Sequence, residues 1–303
     1  MSLRGFAANR NSYLIAAICL ALMAIMLFPL VMSLLTSLKP AGEAGMWPPN
    51  YLPSRLSFSN YIEMYNYQAG LPLYLFNSFS VSFMTIGGCV TLASLAGFGL
   101  ARFSIPYKEV FFLLLICGMM IPYQTLLTPL YMMFSGLGLQ NTRVGLAIVH
   151  TAIQLPFSIF LMRHSFEAVP RELEEAALID GCNSLQLLWW IFVPSVIPGI
   201  VSVALFAFLT SWNEFIGTLI FMNKETMFTL PIMLVASRTG YYGSTDWGIL
   251  QAGVIISIVP CVPVYLLLQK YYVSGLMRGA IRGAKRGSPE ARPTDAGRGD
   301  VTR

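Results

Sequence analysis

Acidic side chains in one short segment are the first candidates for chemistry in this sequence. Within ten positions lie five charged residues, with long apolar stretches on both sides: Arg171, Glu172, Glu174, Glu175 and Asp180. Such a segment could dock onto a partner. It could equally be a solvated loop whose glutamates only favour the positive end of a helix. The residue types alone leave both interpretations open.

The side chains that catalytic and metal sites require are scattered or absent from the sequence. No G-x4-G-K-[ST] phosphate-binding loop and no H-E-x-x-H motif occurs, so we expect no ATP hydrolysis by this chain. His150 and His164 are isolated in the sequence, which favours structural or interfacial roles. The five cysteines form no C-x-x-C pair, which argues against a zinc site and a disulfide framework. We therefore expect no enzyme activity, no metal and no cofactor bound by this chain.

The composition indicates that the elements around the charged segment lie in a lipid bilayer. Hydrophobic residues make up 56% of the 303 residues and charged residues only 11%, whereas a soluble domain carries about 25% charged residues. The mean hydropathy is +0.65. The net charge is +5, but seven of the 19 Lys and Arg residues lie after residue 277, which is typical of a cytoplasmic membrane flank. Nucleic acid is therefore not an expected partner.

Six apolar stretches are long enough to cross about 30 Å of hydrocarbon as helices. They span residues 13–35, 73–100, 110–133, 144–162, 196–222 and 248–272. Pro122 and Pro129 should kink or interrupt the third stretch, because proline lacks the backbone N–H donor. The sequence thus predicts an all-α polytopic membrane protein. Its parts are a short N-terminal segment (1–12), one six-span transmembrane domain (13–283) and a disordered tail (284–303).

The distribution of positive charge predicts the orientation of the spans. Fourteen Lys and Arg residues lie in the N-terminal segment, the 101–109 turn, the 163–195 segment and the C-terminal region. The three other connections hold five: Lys39, Arg55, Arg143, Lys224 and Arg238. Positive residues accumulate on the cytoplasmic side of a membrane. Both termini and the 163–195 segment are therefore predicted to be cytoplasmic.

Residues within the charged segment predict two short helices joined at a glycine. Pro170 suits the first position of a helix, and Gly181 suits its end, where a left-handed conformation is favoured. Asn183 can cap a second helix, with Gln186 as its capping-box partner. The carboxylate of Asp180 meets the negative end of the first helix, at a cost of roughly 0.3–1 kcal/mol, which is a mild indication of function. The second helix should place four residues on one apolar face: Leu185, Leu188, Trp189 and Phe192.

Glu214 is the second candidate site, because it is a carboxylate deep within the fifth apolar stretch. An ionisable group inside a membrane is costly and usually faces a bundle interior or a cavity. One hypothesis is that Asn213 and Glu214 border a translocation path or its outer gate. The alternative is a structural hydrogen bond between helices, for example to Ser211 or Asn77.

The spacing within the charged segment resembles the signature of the membrane subunits of bacterial ATP-binding-cassette importers. That signature is E-A-A-x3-G-x9-I-x-L-P, and this chain carries Glu175-Ala176-Ala177, Gly181 and Ile191-Phe192-Val193-Pro194 at the same spacing. It departs from the pattern at Val193, which stands in place of leucine. Four further stretches are similar to the sugar-importer branch, in particular to the smaller permease subunit of the maltose type: 129–131, 138–142, 211–215 and 269–276. The resemblance covers about residues 10–285.

The resemblance implies a function and a set of partners. In that family the charged loop is a coupling helix seated in a groove of the ATPase subunit. The resemblance gives this contact to Glu174, Glu175, Ala176, Ala177, Asp180 and Gly181. It also implies a second homologous permease subunit, two ATPase subunits that bind ATP and Mg, and an extracytoplasmic solute-binding protein, all at the bacterial cytoplasmic membrane. The cargo would be a sugar or a related polyol or glycerophosphate. The outward loop residues Tyr241, Tyr242 and Gly243 would contact the binding protein.

Two other classes of function fit the sequence less well. A secondary transporter driven by an ion gradient would need ionisable groups near the membrane midplane, and the sequence offers only Glu214. An intramembrane enzyme would need paired catalytic residues in the spans, and none is visible.

Overall fold

The computed structural model describes residues 3–237, 246–267 and 269 of the chain. Every regular element in this part of the chain is helical, so the predicted all-α class is confirmed. The main helices are α1 (Leu3–Ser37), α2 (Ser59–Tyr65), α3 (Leu71–Arg102), α4 (Lys108–Gly118), α5 (Tyr123–Gly136), α6 (Arg143–Glu167), α7 (Arg171–Ile179), α8 (Ser184–Ser195), α9 (Ile197–Asn213), α10 (Ile216–Phe221), α11 (Leu230–Ser237) and α12 (Trp247–Ile258).

The helices provide four candidate membrane spans, or six if each of the two bent helix pairs counts as one span. Four segments of the described chain are long and apolar enough to cross a bilayer alone: Ser12–Ser37, Leu71–Arg102, Arg143–Glu167 and Trp247–Leu267. The pair α4 and α5 passes the same test together, and so does the pair α8 and α9. The prediction of a polytopic helical membrane protein is therefore confirmed.

The third predicted span is interrupted between α4 and α5, which lie at 96° to each other. Pro122 stands directly before α5 with φ −59° and ψ 118°, an extended conformation that cannot continue a helix. Pro129, in contrast, lies inside α5 without ending it. The chain thus breaks at the first of the two prolines and continues as a helix through the second.

The fifth predicted span, residues 196–222, is not one continuous helix. α9 ends at Asn213, Glu214 is extended with φ −71° and ψ 126°, and α10 begins at Ile216. The prediction that Glu214 lies in the interior of a helix is therefore wrong. The physical reason is that the Glu214 carboxylate binds the first backbone N–H groups of α10, which stabilises a new helix start in place of continuation.

The centre of the fold is the contact between α3 and α6, which run side by side in the same direction. Gly88 faces Thr151 and Gly97 faces Met162. A Cβ atom at Gly97 would lie 2.8 Å from the Met162 Cβ and 2.9 Å from the Arg163 backbone nitrogen, so only glycine permits this approach. α9 packs against both helices. The α3–α6 pair supports the charged segment at one end and Glu214 toward the other.

The first span, α1, is attached to the rest of the fold near its C-terminal end. Residues 12–31 are exposed, and α1 packs on α12. Asn60 fixes the chain just after α1 by donating 2.9 Å hydrogen bonds to the carbonyls of Ser37 and Lys39. Residues 12–31 of α1 are therefore left uncovered by the rest of the described chain.

Candidate functional site

The charged segment folds into two helices that meet at Gly181. Gly181 has φ +83°, a left-handed conformation that favours glycine. Its N–H donates to the Leu178 carbonyl at 3.1 Å, and the N–H of Cys182 donates to the Ala177 carbonyl at 3.0 Å. These two bonds form a Schellman helix end. Pro170, predicted as the first helical residue, lies one position before α7, which begins at Arg171. The predicted end at Gly181 is confirmed.

The second helix begins with the predicted capping box. The Asn183 side-chain oxygen accepts hydrogen bonds from the N–H groups of Leu185 at 3.1 Å and Gln186 at 2.9 Å. In return, the Gln186 side chain accepts a 2.9 Å hydrogen bond from the Asn183 N–H. The connection between α7 and α8 is therefore fixed by local hydrogen bonds on both sides of Gly181.

The apolar face of α8 differs from the prediction. Leu187–Phe192 form a π-helical turn, in which backbone bonds join residues five apart. Leu187, Leu188 and Phe192 are buried, whereas Leu185 is 63% and Trp189 is 53% exposed. The predicted stripe is thus confirmed at Leu188 and Phe192 and wrong at Leu185 and Trp189. The wider turn changes the helical period, and Leu187 lies on the buried face instead.

The residues that the resemblance assigns to ATPase coupling fall into two groups. Four of them are exposed: Glu175, Ala176, Asp180 and Gly181. Ala177 is buried, and the Glu174 carboxylate turns inward to Arg102 at 3.2 Å. The exposed side of α7 ends in Leu178 and Ile179, which are 53% and 86% exposed. α7 thus presents a small acidic and apolar surface that the rest of the described chain leaves uncovered.

The Glu214 carboxylate caps the start of α10. One oxygen, Oε1, accepts a 2.6 Å hydrogen bond from the Gly217 N–H. The other, Oε2, accepts from the Thr218 N–H at 2.8 Å and from the Thr218 hydroxyl at 2.9 Å. The first N–H groups of a helix have no partner within the helix, and a carboxylate satisfies them and suits the positive helix end.

The same carboxylate also binds side chains from two other spans. The Tyr123 hydroxyl donates to Oε1 at 2.7 Å, and His150 Nε2 lies 3.3 Å from Oε2. His150 Nδ1 in turn lies 3.0 Å from the Ser211 hydroxyl. Tyr123 is the first residue of α5, immediately after the break in the third span. One side chain therefore connects α5, α6 and the break between α9 and α10.

The hydrogen bonds expected between helices at Glu214 are present, but with different partners. Ser211 reaches the carboxylate only through His150. Asn77 donates instead to the carbonyls of Thr226 and Phe228, each at 2.9 Å, and so holds the connection that follows α10.

Sequence reasoning missed Tyr123 and His150 as partners of Glu214. The signal for His150 was available, because it is itself an ionisable residue within an apolar span, the property that singled out Glu214. Tyr123 carried no comparable signal. Asn213 lies outside the network: its side chain is exposed and donates to the Leu209 carbonyl of its own helix.

The network is suited to holding geometry rather than to reacting with a bound molecule. The side chains of His150 and Glu214 are only 1% and 9% exposed. The backbone N–H groups of Gly217 and Thr218 can only donate, so both oxygens of the Glu214 carboxylate act as acceptors. In the described part of the chain, His, Cys, Asp and Glu form no group of three that could hold a metal ion.

Some predicted residues cannot be placed by the structure. Tyr241, Tyr242 and Gly243, expected to contact a binding protein, lie outside the described residues, as do the end of the sixth predicted span and the 284–303 tail.

Comparison with known proteins places the chain in one family. The family model of the binding-protein-dependent transport system inner membrane component matches residues 90–274, which contain both the charged segment and Glu214. The chain is 32% identical to the sulfoquinovosyl glycerol transport system permease protein SmoH of Agrobacterium fabrum, over 84% of this chain and 88% of that protein. It is 33% identical to the arabinooligosaccharides transport system permease protein AraQ of Halalkalibacterium halodurans, over 85% of this chain and 91% of that protein.

A solved structure supports the same fold. The fold is similar to a chain in the crystal structure of a bacterial ABC transporter involved in the import of the acidic polysaccharide alginate, with a TM-score of 0.76 at 21% identity. The alignment covers 88% of this chain and 98% of that chain. The arrangement of helices, the family match and the two relatives agree, and the chain belongs to the family of inner-membrane components of binding-protein-dependent transport systems.

Proposed function

We propose that this chain is a permease subunit of an ATP-driven importer for a sugar or a related polyol or glycerophosphate. The names of its relatives support the class of cargo, since they transport a sulfoquinovosyl glycerol and arabinooligosaccharides. Sugar specificity within that class would rest with the solute-binding protein and the partner permease.

The exposed surface of α7 is the observation that carries this proposal. Ile179 is 86% exposed although it is a large apolar residue at the end of a helix. It lies beside the exposed Glu175, Ala176 and Asp180. Covering an exposed apolar side chain with a second protein removes it from water and so stabilises the complex. We infer that this second protein is a separate ATPase subunit that holds ATP and Mg, as the resemblance to ATP-binding-cassette importers implies.

The proposed assembly contains this chain, a second homologous permease, two ATPase subunits and an external solute-binding protein. The termini and the charged segment would lie on the cytoplasmic side, where the ATPase subunits bind. Closure of the ATPase pair on ATP would move α7 and α8 together, since Gly181 and the Asn183 cap fix the turn between them. The membrane helices would then open outward to receive the solute from its binding protein.

Glu214 and Asn213 have a proposed role at the outer end of the path. Glu214 holds α5, α6 and α10 together, and Asn213 is exposed at the end of α9. We propose that this region borders the translocation path or its outer gate, with Glu214 setting the geometry and Asn213 available to the solute.

Reconstituted uptake tests the proposed function. The chain is purified with its partner permease and ATPase, placed in proteoliposomes, and supplied with the binding protein and radiolabelled sugar. Uptake that requires internal ATP supports the proposal. A carrier driven by an ion gradient, which could use the His150–Glu214 pair, would instead sustain uptake after ATP depletion with the gradient maintained. That result would contradict the proposed function.

A further inference from the structure

The last residue of α3, Arg102, is enclosed at the base of the charged segment. Its side chain is only 5% exposed. Nη2 donates to the carbonyls of Phe166 at 2.5 Å and Val169 at 2.6 Å, and Nη1 donates to the Glu174 carboxylate at 3.2 Å. The guanidinium carbon lies 4.6 Å from the centroid of the Phe192 ring.

These four partners of Arg102 belong to four different parts of the chain. Phe166 lies at the end of α6, Val169 in the link after it, Glu174 in α7 and Phe192 in α8. Carbonyls at the end of a helix have no partner within the helix, and a cation is favoured there. One buried side chain thus joins α3 to the end of α6 and to both helices of the charged segment.

The remaining attachments of α7 to the membrane helices are few. Among the residues of α7, which the structure describes throughout, only Ala177 is buried. Ala177 belongs to the apolar cluster that contains Leu187 and Leu188 of α8 and also reaches Phe98 of α3 and Phe166 of α6. The Arg102–Glu174 ion pair is the polar contact that ties α7 to α3.

Arginine suits this position better than lysine. Its planar guanidinium presents several N–H groups in a fixed arrangement and can also lie over an aromatic ring. An ammonium group carries the same charge but is a point donor on a flexible stem, so it cannot meet two carbonyls, a carboxylate and a ring in the same way. A lysine at position 102 should therefore keep part of the connection.

We propose that Arg102 is the positioning residue through which movement of the charged segment reaches α3 and α6. This inference rests on the proposed function, in which an ATPase subunit binds α7. When α7 moves, its connection through Glu174 and Arg102 moves the cytoplasmic ends of α3 and α6 with it. The tight contact between these two helices carries the movement toward the outer half of the membrane. Without Arg102, the movement of α7 reaches α3 and α6 only through the apolar cluster, and more ATP is hydrolysed for each solute molecule taken up.

The test measures how many ATP molecules are hydrolysed per solute molecule taken up. The complete transporter, with its binding protein, is reconstituted with wild-type chain or with Arg102→Met, Arg102→Lys or Glu174→Gln. Arg102→Met should raise the ratio about fivefold or more, as expected when a coupling free energy is lost, while the ATPase subunit still copurifies. Arg102→Lys and Glu174→Gln should give intermediate ratios, because each keeps part of the connection.

Arg143→Met is the matched control. Arg143 lies at the opposite end of α6, and its guanidinium carbon also lies over a ring, 4.9 Å from the centroid of Phe76. This variant should keep the wild-type ratio. A wild-type ratio in Arg102→Met overturns the inference, including the case in which hydrolysis and uptake fall together, because that is the result of a purely structural role.

The milder variants decide the matter if Arg102→Met does not assemble. A wild-type ratio in both Arg102→Lys and Glu174→Gln then overturns the inference. Failure of the wild-type transporter to couple ATP to uptake is a different result, and it would contradict the proposed function rather than the role of Arg102.

Discussion

The hydroxyl of Tyr123 and the carboxylate of Glu214 form a 2.7 Å hydrogen bond that joins the two broken spans of the protein. Tyr123 begins α5 directly after the 96° bend in the third span. Glu214 separates α9 from α10 in the fifth. The two residues are 91 positions apart in sequence, so this bond fixes the position of one break relative to the other.

Glu214→Gln should lower both the thermal stability of the transporter and its uptake activity. An amide has one acceptor oxygen and one NH2 group. In the wild type, the N–H groups of Gly217 and Thr218 each donate to one carboxylate oxygen. In either orientation of the amide, its NH2 group therefore faces one of these two N–H groups. A buried donor left without an acceptor costs about 1–3 kcal/mol. The midpoint of thermal unfolding and the rate of ATP-driven uptake in proteoliposomes measure the two effects.

Glu63→Gln is the control for this change, because Glu63 is exposed on α2 and should tolerate the same substitution. If Glu214→Gln matches the wild type in stability and uptake while the control behaves as expected, then Glu214 neither holds the two breaks nor borders the gate.

Tyr123→Phe should destabilise the protein through the same network, without changing the shape of the ring. It removes the hydrogen bond between the hydroxyl and the charged carboxylate, which contributes about 1.5–3 kcal/mol. The double variant Tyr123→Phe with Glu214→Gln should lose less free energy of unfolding than the sum of the two single variants. The difference, the coupling energy, should be about 0.5–3 kcal/mol. A double-mutant cycle on unfolding in mixed micelles measures it. Strictly additive losses would show that the two residues act independently.

The parts of the fold that could be predicted from the sequence are those fixed by short-range contacts. The Schellman end at Gly181 and the capping box of Asn183 and Gln186 involve residues within five positions of each other. A local pattern therefore suffices to find them. The break at Pro122 follows in the same way from the geometry of one residue.

The parts that sequence reasoning missed depend on contacts between distant segments. His150 and Glu214 are 64 positions apart. Each can be recognised as an ionisable residue in an apolar stretch, but no local pattern indicates that the two side chains meet. The same holds for Arg102 and Glu174, which are 72 positions apart. The fifth span was predicted as one helix because its hydrophobicity is continuous, whereas its break is set by polar contacts that hydrophobicity does not report.

Gly181→Val should uncouple ATP hydrolysis from uptake without preventing insertion into the membrane. A side chain in the left-handed region costs roughly 1–2 kcal/mol, and Gly181 has φ +83°. A Cβ atom at this position would meet no atom of this chain within 4 Å, so within the chain the effect would come from the backbone conformation and not from a clash. The measurement is the ATP hydrolysed per solute transported, with surface expression checked in parallel.

The matched control is Gly136→Val at the end of α5, where a Cβ atom also meets nothing within 4 Å but φ is not positive. This control should retain coupled transport. Normal coupling in Gly181→Val would argue against α7 and α8 moving as one unit.

Asn183→Ala should weaken the start of α8 by removing the acceptor for the N–H groups of Leu185 and Gln186. Loss of such a cap costs about 1 kcal/mol. Asn183→Ser should behave almost like the wild type, because serine is also a good cap. Hydrogen–deuterium exchange of residues 183–190 measures the effect, with faster exchange expected in the alanine variant alone. If the alanine variant exchanged no faster than the serine variant, the packing of α8 and not its cap would be what stabilises the start of the helix.

Photo-crosslinking from position 179 tests most directly whether α7 is the surface that binds the ATPase subunit. A photoreactive residue replaces Ile179, which is 86% exposed on α7, or Trp47, which is 90% exposed in the connection between α1 and α2. In the assembled transporter, we expect an adduct with the ATPase subunit from position 179 and none from position 47. An ATPase adduct from position 47, or none from position 179 in a transporter that hydrolyses ATP, would contradict the account.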